Sequence, residues 1–319
     1  MTITEIARSI FRDVPELSNG VYVAHEFGSS ENDRQTSAAF SDKWTSLAQD
    51  DVDSEGWKQF QFDWYLRCYG YADEAELAAD LRKHSVIVDA GCGPGYKAAW
   101  FARLAPESTV IAMDLSESIF RAADRYGDRA NMIFVRGDIA NTPFKDDTIS
   151  LVSCDQVLHH TIDPPATARE FRRIIAPGGQ LNTYVYATKA LPRELLDEHL
   201  REYTKQLSAK QVWELSDQLT QLGKTLSELE IEIDVPAMPV LGIQGGRQDI
   251  QRFFYWNFLK CFWNPQHGFE ASKMINYDWY APSTAFRYTR DEFLAMIEEA
   301  GFRDLFVHSE EACHSGRFR

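Results

Sequence analysis

A run of β-branched residues leads directly into an acid and three glycines at alternate positions, in the segment VIVDAGCGPG at residues 86–95. Such a run is typical of a strand buried on both faces of a parallel sheet. Glycines after the strand let the backbone adopt positive φ and approach a ligand closely. The segment predicts a strand, a tight loop and a helix start, which form either a nucleotide-type binding loop or an ordinary turn.

Short apolar runs and helical patterns alternate from about residue 85 to residue 186. Strands are predicted at Ser85–Asp89, Thr109–Asp114, Asn131–Val135, Thr148–Cys154 and Gln180–Tyr186. Helices are predicted at Lys97–Leu104, from a cap at Ser116 to about Tyr126, and from Pro164 to about Ile175. Strand–helix alternation of this kind predicts a doubly wound, mostly parallel α/β sheet with right-handed crossovers.

The 319 residues exceed the usual size of one domain, so additions to this sheet are expected. We expect an N-terminal cap segment at 1–80, a sheet domain at 81–189 and 290–319, and an inserted cover at 190–289. The cover would contain two amphipathic helices within 190–230 and an irregular, aromatic-rich stretch over 231–290. Asp291–Ala300 predicts a helix closed by Gly301, and Phe302–His308 predicts the final strand.

Charge and apolar patterning exclude several classes of protein. The formal net charge is -15 without a basic stripe, which argues against nucleic acid as a partner. The sequence contains no run of 18 apolar residues, so no transmembrane helix is predicted. Glu5 and Asp13 lie where a signal peptide would have its apolar stretch. Five scattered cysteines are typical of reduced cytosolic thiols. We therefore expect a cytoplasmic protein with a small-molecule substrate and no membrane contact.

Two acids lie where the predicted sheet would bind a ligand, beyond the carboxyl ends of its strands. Asp114 ends the second strand, 25 residues after Asp89, and its carboxylate could accept hydrogen bonds from ribose hydroxyls. Asp89 stands two residues before the first glycine, where it would repel a pyrophosphate and suit a cationic ligand. These residues favour a ligand that has ribose hydroxyls and an amine or other cation, although an ordinary strand–turn–helix stays open.

Four longer stretches extend this pattern: VIVDAGCGPGY, VIAMDLSESIF, FVRGDIANTPFKDDTISLVSCDQVLHH and FRRIIAPGGQLNTYVY. In order and spacing they resemble the class I S-adenosylmethionine-dependent methyltransferases, in the branch that includes the ubiquinone/menaquinone-biosynthesis methyltransferases. The resemblance covers roughly a third of the chain. It implies a seven-stranded Rossmann-like sheet whose last strand runs antiparallel, S-adenosyl-L-methionine as cofactor, and methyl transfer as the reaction.

The resemblance also implies which residues hold the cofactor. The residues around its methionine part would be Asp89, Gly91, Gly93 and Gly95, with Asp155 and Gln156 near the methyl group. Those around its nucleoside would be Asp114 at the ribose, and Leu115, Asp138 and Ile139 at the adenine. Phe40 and Trp44 in the stretch AFSDKW would close over it.

Each of these residues also has a purely structural interpretation. Asp114 could cap the following helix, and Asp138 could close a turn. Leu115 and Ile139 could be core residues. Phe40 and Trp44 could pack without touching a ligand. The sequence alone leaves both interpretations open.

Two adjacent histidines follow the fourth strand in LHHTIDPP. His159 and His160 are the candidate catalytic bases, because a hydroxyl or acidic carbon needs a base and an amine or thioether does not. A similar pair is common in the resembling branch whatever the substrate, so we favour a role in shaping the site. Since no HxxxH or CxxC spacing is present, and Cys313 and His314 lie in a tail without a motif, we expect no metal.

The substrate side is expected in the flanking segments, because residues 253–288 contain thirteen aromatic residues. They would form a hydrophobic cover or a lid whose ring faces could also hold a cation. In YDWYAPSTAFRYTRDEF, Arg287 is either a clamp for a carboxylate or phosphate or a partner in an ion pair at the surface or within the fold. The other candidate substrate residues are Tyr186, Trp279, Tyr280 and Tyr288. Together, the aromatic cover and Arg287 favour a small polar acceptor with an acidic group, such as an amino acid derivative.

The two helices predicted within 190–230 carry an acidic face and an apolar stripe. The acidic residues Glu194, Asp197 and Glu198 would be solvated surface. The leucines at 195, 200, 219 and 222 would form a lid or a contact between subunits of a homo-oligomer. Two rival functions fit the fold as well: an NAD-dependent oxidoreductase, and a non-catalytic module that binds S-adenosylmethionine.

Overall fold

One sheet runs through the computed structural model, which describes residues 3–24, 31–46 and 55–319. Its strands are β1 (Glu16–Ser18), β2 (Val21–Val23), β3 (Val86–Ala90), β4 (Thr109–Asp114), β5 (Met132–Arg136), β6 (Ile149–Cys154), β7 (Ile175–Ala187), β10 (Arg287–Tyr288), β11 (Asp304–Ser309) and β12 (Cys313–Phe318). A separate hairpin pairs β8 (Glu232–Val235) with β9 (Gly246–Asp249).

Helices cover both faces of the sheet and build the additions to it. Those in the N-terminal part are α1 (Ile3–Ile10), α2 (Glu31–Ser46), α3 (Glu55–Tyr69) and α4 (Glu74–Leu81). Those that connect sheet strands are α5 (Tyr96–Leu104), α6 (Ser118–Tyr126), α7 (Pro164–Ile174) and α12 (Arg290–Glu299). Those in the inserted cover are α8 (Leu191–Thr204), α9 (Ala209–Glu228), α10 (Ile250–Asn257) and α11 (Gly268–Tyr280).

The strand order is β1-β2-β5-β4-β3-β6-β7-β12-β11, with β10 beside β7. Strands β2 through β7 pair in parallel along this order, whereas β12 is antiparallel to β7. The order reverses at β3, which has β4 on one side and β6 on the other. Because ligands of open α/β sheets bind at such a reversal, the loop after β3 lies at the expected binding edge.

The mostly parallel α/β fold is confirmed, but the sheet has ten strands where seven were predicted. Seven strands in the order β5-β4-β3-β6-β7-β12-β11 form the core of the sheet, and β1, β2 and β10 extend it. The segment predicted as an N-terminal cap therefore also adds strands to the sheet. The final strand is Cys313–Phe318, so the predicted Phe302–His308 strand is the penultimate one and Cys313 is not in a loose tail.

The β-branched run in β3 packs on both faces of the sheet. Ile87 belongs to one buried cluster, with Phe101 and Tyr65, while Val88 belongs to the cluster on the opposite face. This burial on both faces explains why the run is continuously apolar instead of alternating. The predicted bounds of β4 coincide with the observed ones, and those of the other predicted parallel strands begin or end within a few residues.

The inserted cover is more regular than the sequence indicated. The two helices predicted within 190–230 are confirmed as α8 and α9. The stretch 231–290 was predicted to be irregular, which is wrong for α10, α11 and the β8–β9 hairpin. Asp197 was predicted on a solvated face, yet it is 0% exposed and pairs with Arg193 at 2.6 Å. Among the described residues, no helix is both long and apolar enough to cross a bilayer.

Candidate functional site

The glycine loop follows β3 and is fixed by the neighbouring strand. The amides of Gly91 and Cys92 donate to the carbonyl oxygen of Met113 at 2.8 and 3.0 Å. Gly91, Gly93 and Gly95 have φ of 81°, 53° and 82°, a region that side chains with a Cβ rarely adopt. Gly95 also precedes the first residue of α5. The loop therefore brings backbone to the sheet edge in a conformation that favours glycine.

Asp114 joins the glycine loop to the loop after β4. One carboxylate oxygen, Oδ2, accepts from the Gly93 amide at 2.7 Å. The other, Oδ1, accepts from the amide and hydroxyl of Ser116 at 2.8 and 2.6 Å. The helix after this loop begins at Ser118, one residue after its N-cap Glu117, so the predicted cap at Ser116 is displaced. Oδ2, with a single internal donor, can still accept from a ligand hydroxyl.

Asp89 is a buried carboxyl group without a full set of partners. Its Oδ2 atom has no hydrogen-bond partner among the described residues, and the side chain is 3% exposed. Burial raises the pKa of Asp89 to about 7, although Lys97 opposes the shift. An orphaned acceptor beside the glycine loop suits a ligand that supplies a donor or a positive charge.

Asp155 lies just beyond β6 and is held by three donors. They are the Lys97 ammonium, the Tyr69 hydroxyl at 3.0 Å and the Gln156 amide at 3.1 Å. Burial alone would lower the pKa of Lys97, but Asp155 beside it raises that pKa. The sequence singled out Asp155 and Gln156 but missed Lys97, whose place in the first turn of α5 gave a usable signal.

A cavity of about 910 Å³ opens beside these residues. It brings together most of the predicted cofactor residues: Gly91, Gly93, Asp114, Leu115, Asp138, Ile139, Asp155, Gln156, Phe40 and Trp44. The remaining two, Asp89 and Gly95, belong to the loop but do not line this cavity. Residues that the sequence singled out in several separate loops thus line one continuous cavity.

Helix α2 forms one wall of the cavity through Phe40 and Trp44. A Cβ built on Gly93 would lie 3.1 Å from the Trp44 ring, so ring and loop are in close contact. The Phe40 ring lies 5.1 Å from that of His160. Lys43, which the sequence did not single out, pairs with Asp278 at 2.6 Å and lies 4.0 Å from the Trp44 ring centre.

Both predicted histidines are buried, and only His160 lines the cavity. Nδ1 of His160 lies 2.8 Å from the Thr284 carbonyl oxygen, and Nδ1 of His159 lies 3.4 Å from that of Tyr184. Burial lowers the pKa of His160 to about 3 and that of His159 well below its usual value. Both rings are therefore neutral near pH 7, and His159 is too enclosed to reach a ligand.

The pKa of His160 predicts how stability changes with pH. An unfolded imidazole binds a proton below about pH 6.5, whereas the folded ring does so only below about 3. The free energy of unfolding should therefore fall as the pH drops from about 6.5 towards 3. Urea unfolding at pH 7.5 and pH 5 would measure this, and His160→Gln should lose less stability on acidification. Equal losses in both proteins would contradict the assignment.

Two of the five predicted substrate residues line the cavity, Tyr186 and Trp279, whose ring centres are 4.6 Å apart. Tyr280 instead donates to Asp197 at 2.7 Å, and Tyr288 pairs in β10 outside the cavity lining. Arg287, the candidate acid clamp, does not line the cavity. Its guanidinium pairs with Glu194 at 2.5 Å and Glu198 at 3.3 Å, because β10 lies against α8 and away from the cavity.

The cavity has a cationic end that the sequence did not reveal. Four cations line it together with Tyr255, Trp256 and Trp279: Lys189, Arg193, Arg252 and Lys260. Lys189 follows β7 closely at the binding edge, so its position offered a signal. The other three come from the inserted cover, where only the tertiary fold brings them together.

Three potential metal ligands meet outside the cavity lining. The ligand atoms of Cys68, His308 and Cys313 lie within 4.8 Å of one another in the described part of the chain. Nε2 of His308 lies 3.3 Å from the carboxylate oxygen Oε2 of Glu310. Sequence spacing missed this group because α3 and the β11–β12 hairpin bring its members together. The expectation that the protein has no metal stays a prediction.

Part of the chain is similar to a known protein family. A family model described as a methyltransferase domain matches residues 88–183. An uncharacterized methyltransferase of Schizosaccharomyces pombe is 33% identical over 108 residues, 31% of this chain and 39% of that protein. Malonyl-[acyl-carrier protein] O-methyltransferase of Legionella pneumophila is 32% identical over 96 residues, 30% of this chain and 34% of that protein.

Demethylmenaquinone methyltransferase of Corynebacterium kroppenstedtii is 29% identical over 113 residues, 35% of this chain and 47% of that protein. The chain thus spans less than half the length of each of these curated relatives. A methyltransferase structure from Mesorhizobium loti, dependent on S-adenosylmethionine, covers 78% of this chain and 98% of its own, with a TM-score of 0.45 and 14% identity. One from Aquifex aeolicus covers 82% and 95%, with a TM-score of 0.42 and 12% identity. Residues 88–183 thus match a methyltransferase domain, which supports S-adenosylmethionine as the cofactor.

Proposed function

We propose that this protein transfers a methyl group from S-adenosylmethionine to a small molecule bound in the same cavity. One observation carries the proposal: the site has opposite charges at its two ends. Asp114 and Asp155 line the cavity at the carboxyl ends of β4 and β6, while the cationic end lies under the inserted cover. A cationic cofactor and an anionic acceptor would each meet charges of opposite sign.

The residues at the acidic end fit S-adenosylmethionine. The cofactor, when bound, supplies an activated methyl group on a sulfonium. Asp114 would hold the ribose through Oδ2, Leu115 and Ile139 would lie at the adenine, and Asp89 would offer its orphaned oxygen to a donor. An NAD pyrophosphate fits less well, because the buried carboxyl group of Asp89 would repel it.

Positioning supplies most of the catalysis in this proposal. The neutral His160 ring and the Phe40 ring line the cavity. They would exclude water and limit the orientations that an acceptor can adopt. Alignment of reacting groups can contribute about 7–11 kcal/mol in favourable cases. His160 could accept a proton only from an acceptor that loses one, so an amine or thioether would react without it.

The acceptor is proposed to be a small polar metabolite with an acidic group, such as an amino acid derivative. The cationic end supports this choice and replaces Arg287 as the reason for it. A long prenyl quinone would place apolar chain against buried cations, which is costly. The quinone branch is therefore not the one we propose, and the helices α8 and α9 stay a candidate contact between subunits.

A turnover assay with methyl-labelled S-adenosylmethionine and a metabolite extract tests the proposal. We expect label in an acidic metabolite and formation of S-adenosylhomocysteine only when the extract is present. A silent binding module would bind the cofactor without turnover. An oxidoreductase would bind NAD in calorimetry and would not bind S-adenosylmethionine.

In calorimetric titrations with S-adenosylmethionine, Asp114→Ala should weaken cofactor binding by about 1–3 kcal/mol, roughly 5- to 150-fold. This is the scale of a lost charge-assisted hydrogen bond. Ser116→Ala is the matched control, because it removes a donor to Asp114 and keeps the carboxylate. It should change the affinity less. Unchanged affinity in Asp114→Ala would contradict the role of Asp114 at the ribose.

A further inference from the structure

The cationic end of the cavity contains a buried ammonium group that lacks a carboxylate partner. Lys260 lies between α10 and α11 and is 7% exposed. Its Nζ lies 4.5 Å from the centre of the Trp279 ring and 3.4 Å from the Tyr255 hydroxyl oxygen. Within the described ranges it forms no ion pair. Because an isolated buried charge is costly, the site favours an anion from elsewhere.

The carboxylates around Lys260 are already paired with other cations. Asp197 binds Arg193 at 2.6 Å, and Asp278 binds Lys43 at 2.6 Å. Burial, with repulsion from Arg193, lowers the pKa of Lys260 to about 7 despite the attraction of those two acids. The protein therefore leaves positive charge at this end of the cavity only partly compensated.

Lys189 provides a second ammonium group on the same aromatic wall. Its Nζ donates to the carbonyl oxygens of Ala187, Glu311 and Ala312, so all three of its N–H groups are used within the protein. It lies 5.4 Å from the centre of the Trp256 ring and 5.9 Å from that of Trp279. Two lysines thus approach rings whose faces would otherwise attract a cationic ligand. This argues against a cation at this end of the cavity.

Resting on the proposed function, we propose that Lys260 binds a carboxylate of the acceptor while Trp256 and Trp279 pack against its apolar part, with the positive charge of Lys189 nearby. Arg193 is committed to Asp197 and to the Tyr255 carbonyl oxygen, and Arg252 donates to the Trp263 carbonyl oxygen at 3.4 Å. The Lys260 ammonium donates to the Tyr255 hydroxyl and keeps two N–H donors for a carboxylate. The acceptor would therefore be an acid with a planar or apolar body.

Matched acid and amide probes test the carboxylate site in the full-length protein. The pairs are benzoate and benzamide, phenylacetate and phenylacetamide, and indole-3-acetate and indole-3-acetamide, each titrated calorimetrically with S-adenosylhomocysteine present. At least one acid should bind about tenfold or more tightly than its amide, the scale of a charge-assisted hydrogen bond. No preference for the acid in any pair would overturn the proposal, as would inorganic phosphate binding as tightly as the best acid.

Substitutions then assign the preference to Lys260. Lys260→Met should bring the acid affinity down to that of the amide, and Lys260→Arg should keep part of the preference. Lys210→Met is the matched control, since the Lys210 side chain on α9 is 86% exposed, and it should behave as the unaltered protein. An acid preference that survives in Lys260→Met would refute the role of Lys260.

A separate titration of S-adenosylmethionine keeps the two proposals apart. If the unaltered protein binds the cofactor but shows no acid preference, the carboxylate site alone is wrong. If it fails to bind the cofactor, the proposed function is wrong. Lys260→Met should bind S-adenosylmethionine as the unaltered protein does, and a parallel loss of cofactor binding would place Lys260 in the fold or the cofactor site instead.

Discussion

Replacing Asp197 with alanine should lower the free energy of unfolding by about 3–5 kcal/mol, the cost of breaking a buried ion pair by removing one partner. The carboxylate accepts from Arg193 Nε at 2.6 Å, Trp279 Nε1 at 2.8 Å and the Tyr280 hydroxyl at 2.7 Å. The substitution would leave the buried guanidinium and two further donors without this acceptor. Because Trp279 lines the cavity, the cover over the site should loosen as well.

Glu198→Ala is the matched control, because Glu198 is the next residue on the same helix and its side chain is 64% exposed. Its loss should cost less than about 1 kcal/mol, as for other exposed ion pairs. Urea unfolding of both variants would measure the difference. Equal, small effects would show that the Asp197 pair contributes little. If Asp197→Ala has the expected large effect, Asp197→Asn separates the loss of charge from the loss of hydrogen-bond acceptors.

The central strands could be predicted because their sequence pattern and their burial have the same cause. Residues such as Ile87 and Val88 pack on opposite faces, so a continuous β-branched run marks the strand. Strand β12 carries no such signal, since its sequence CHSGRF contains few strong strand formers. Its burial comes from pairing with β7 and β11, which a local pattern does not contain.

Helix α11 could not be predicted for a similar reason. It begins with glycine and contains asparagine, aspartate and several aromatic residues, none of them a strong helix former. Tertiary contacts compensate, since Asn276 donates to the Thr220 hydroxyl on α9 at 2.8 Å and to the Phe262 carbonyl oxygen at 3.0 Å. Local propensity was a poor guide wherever the helix is held by distant partners.

The candidate site divides along the same line. Residues in the loops after β3, β4 and β6 could be predicted, because parallel strands bring their carboxyl ends to one edge. The cations of the inserted cover could not, because their positions depend on how α8, α10 and α11 pack. Arg287 shows the limit most clearly: residue type suggested an acid clamp, while the fold commits its guanidinium to Glu194.

Gly91→Ala should cost about 2–5 kcal/mol of unfolding free energy and weaken cofactor binding with it. The residue has φ of 81°, where an alanine is disfavoured by about 1–2 kcal/mol. A Cβ would also lie 2.5 and 2.6 Å from the Val157 methyl groups, and overpacking of this kind typically costs a further 1–3 kcal/mol, roughly. Valine has little freedom to rotate away. Urea unfolding and cofactor calorimetry would measure both effects.

Gly178→Ala separates the two causes, because Gly178 has nearly the same φ, 78°, and a Cβ there would meet nothing within 4 Å. It should show only the backbone cost and no change in cofactor affinity. Combining Gly91→Ala with Val157→Ala should recover the steric part, measured against Val157→Ala alone in a double-mutant cycle. If Gly91→Ala costs no more than Gly178→Ala, the contact with Val157 relaxes freely. Glycine at position 91 would then be required only for its positive φ. The close approach of Val157, in the loop after β6, would not constrain the cofactor site.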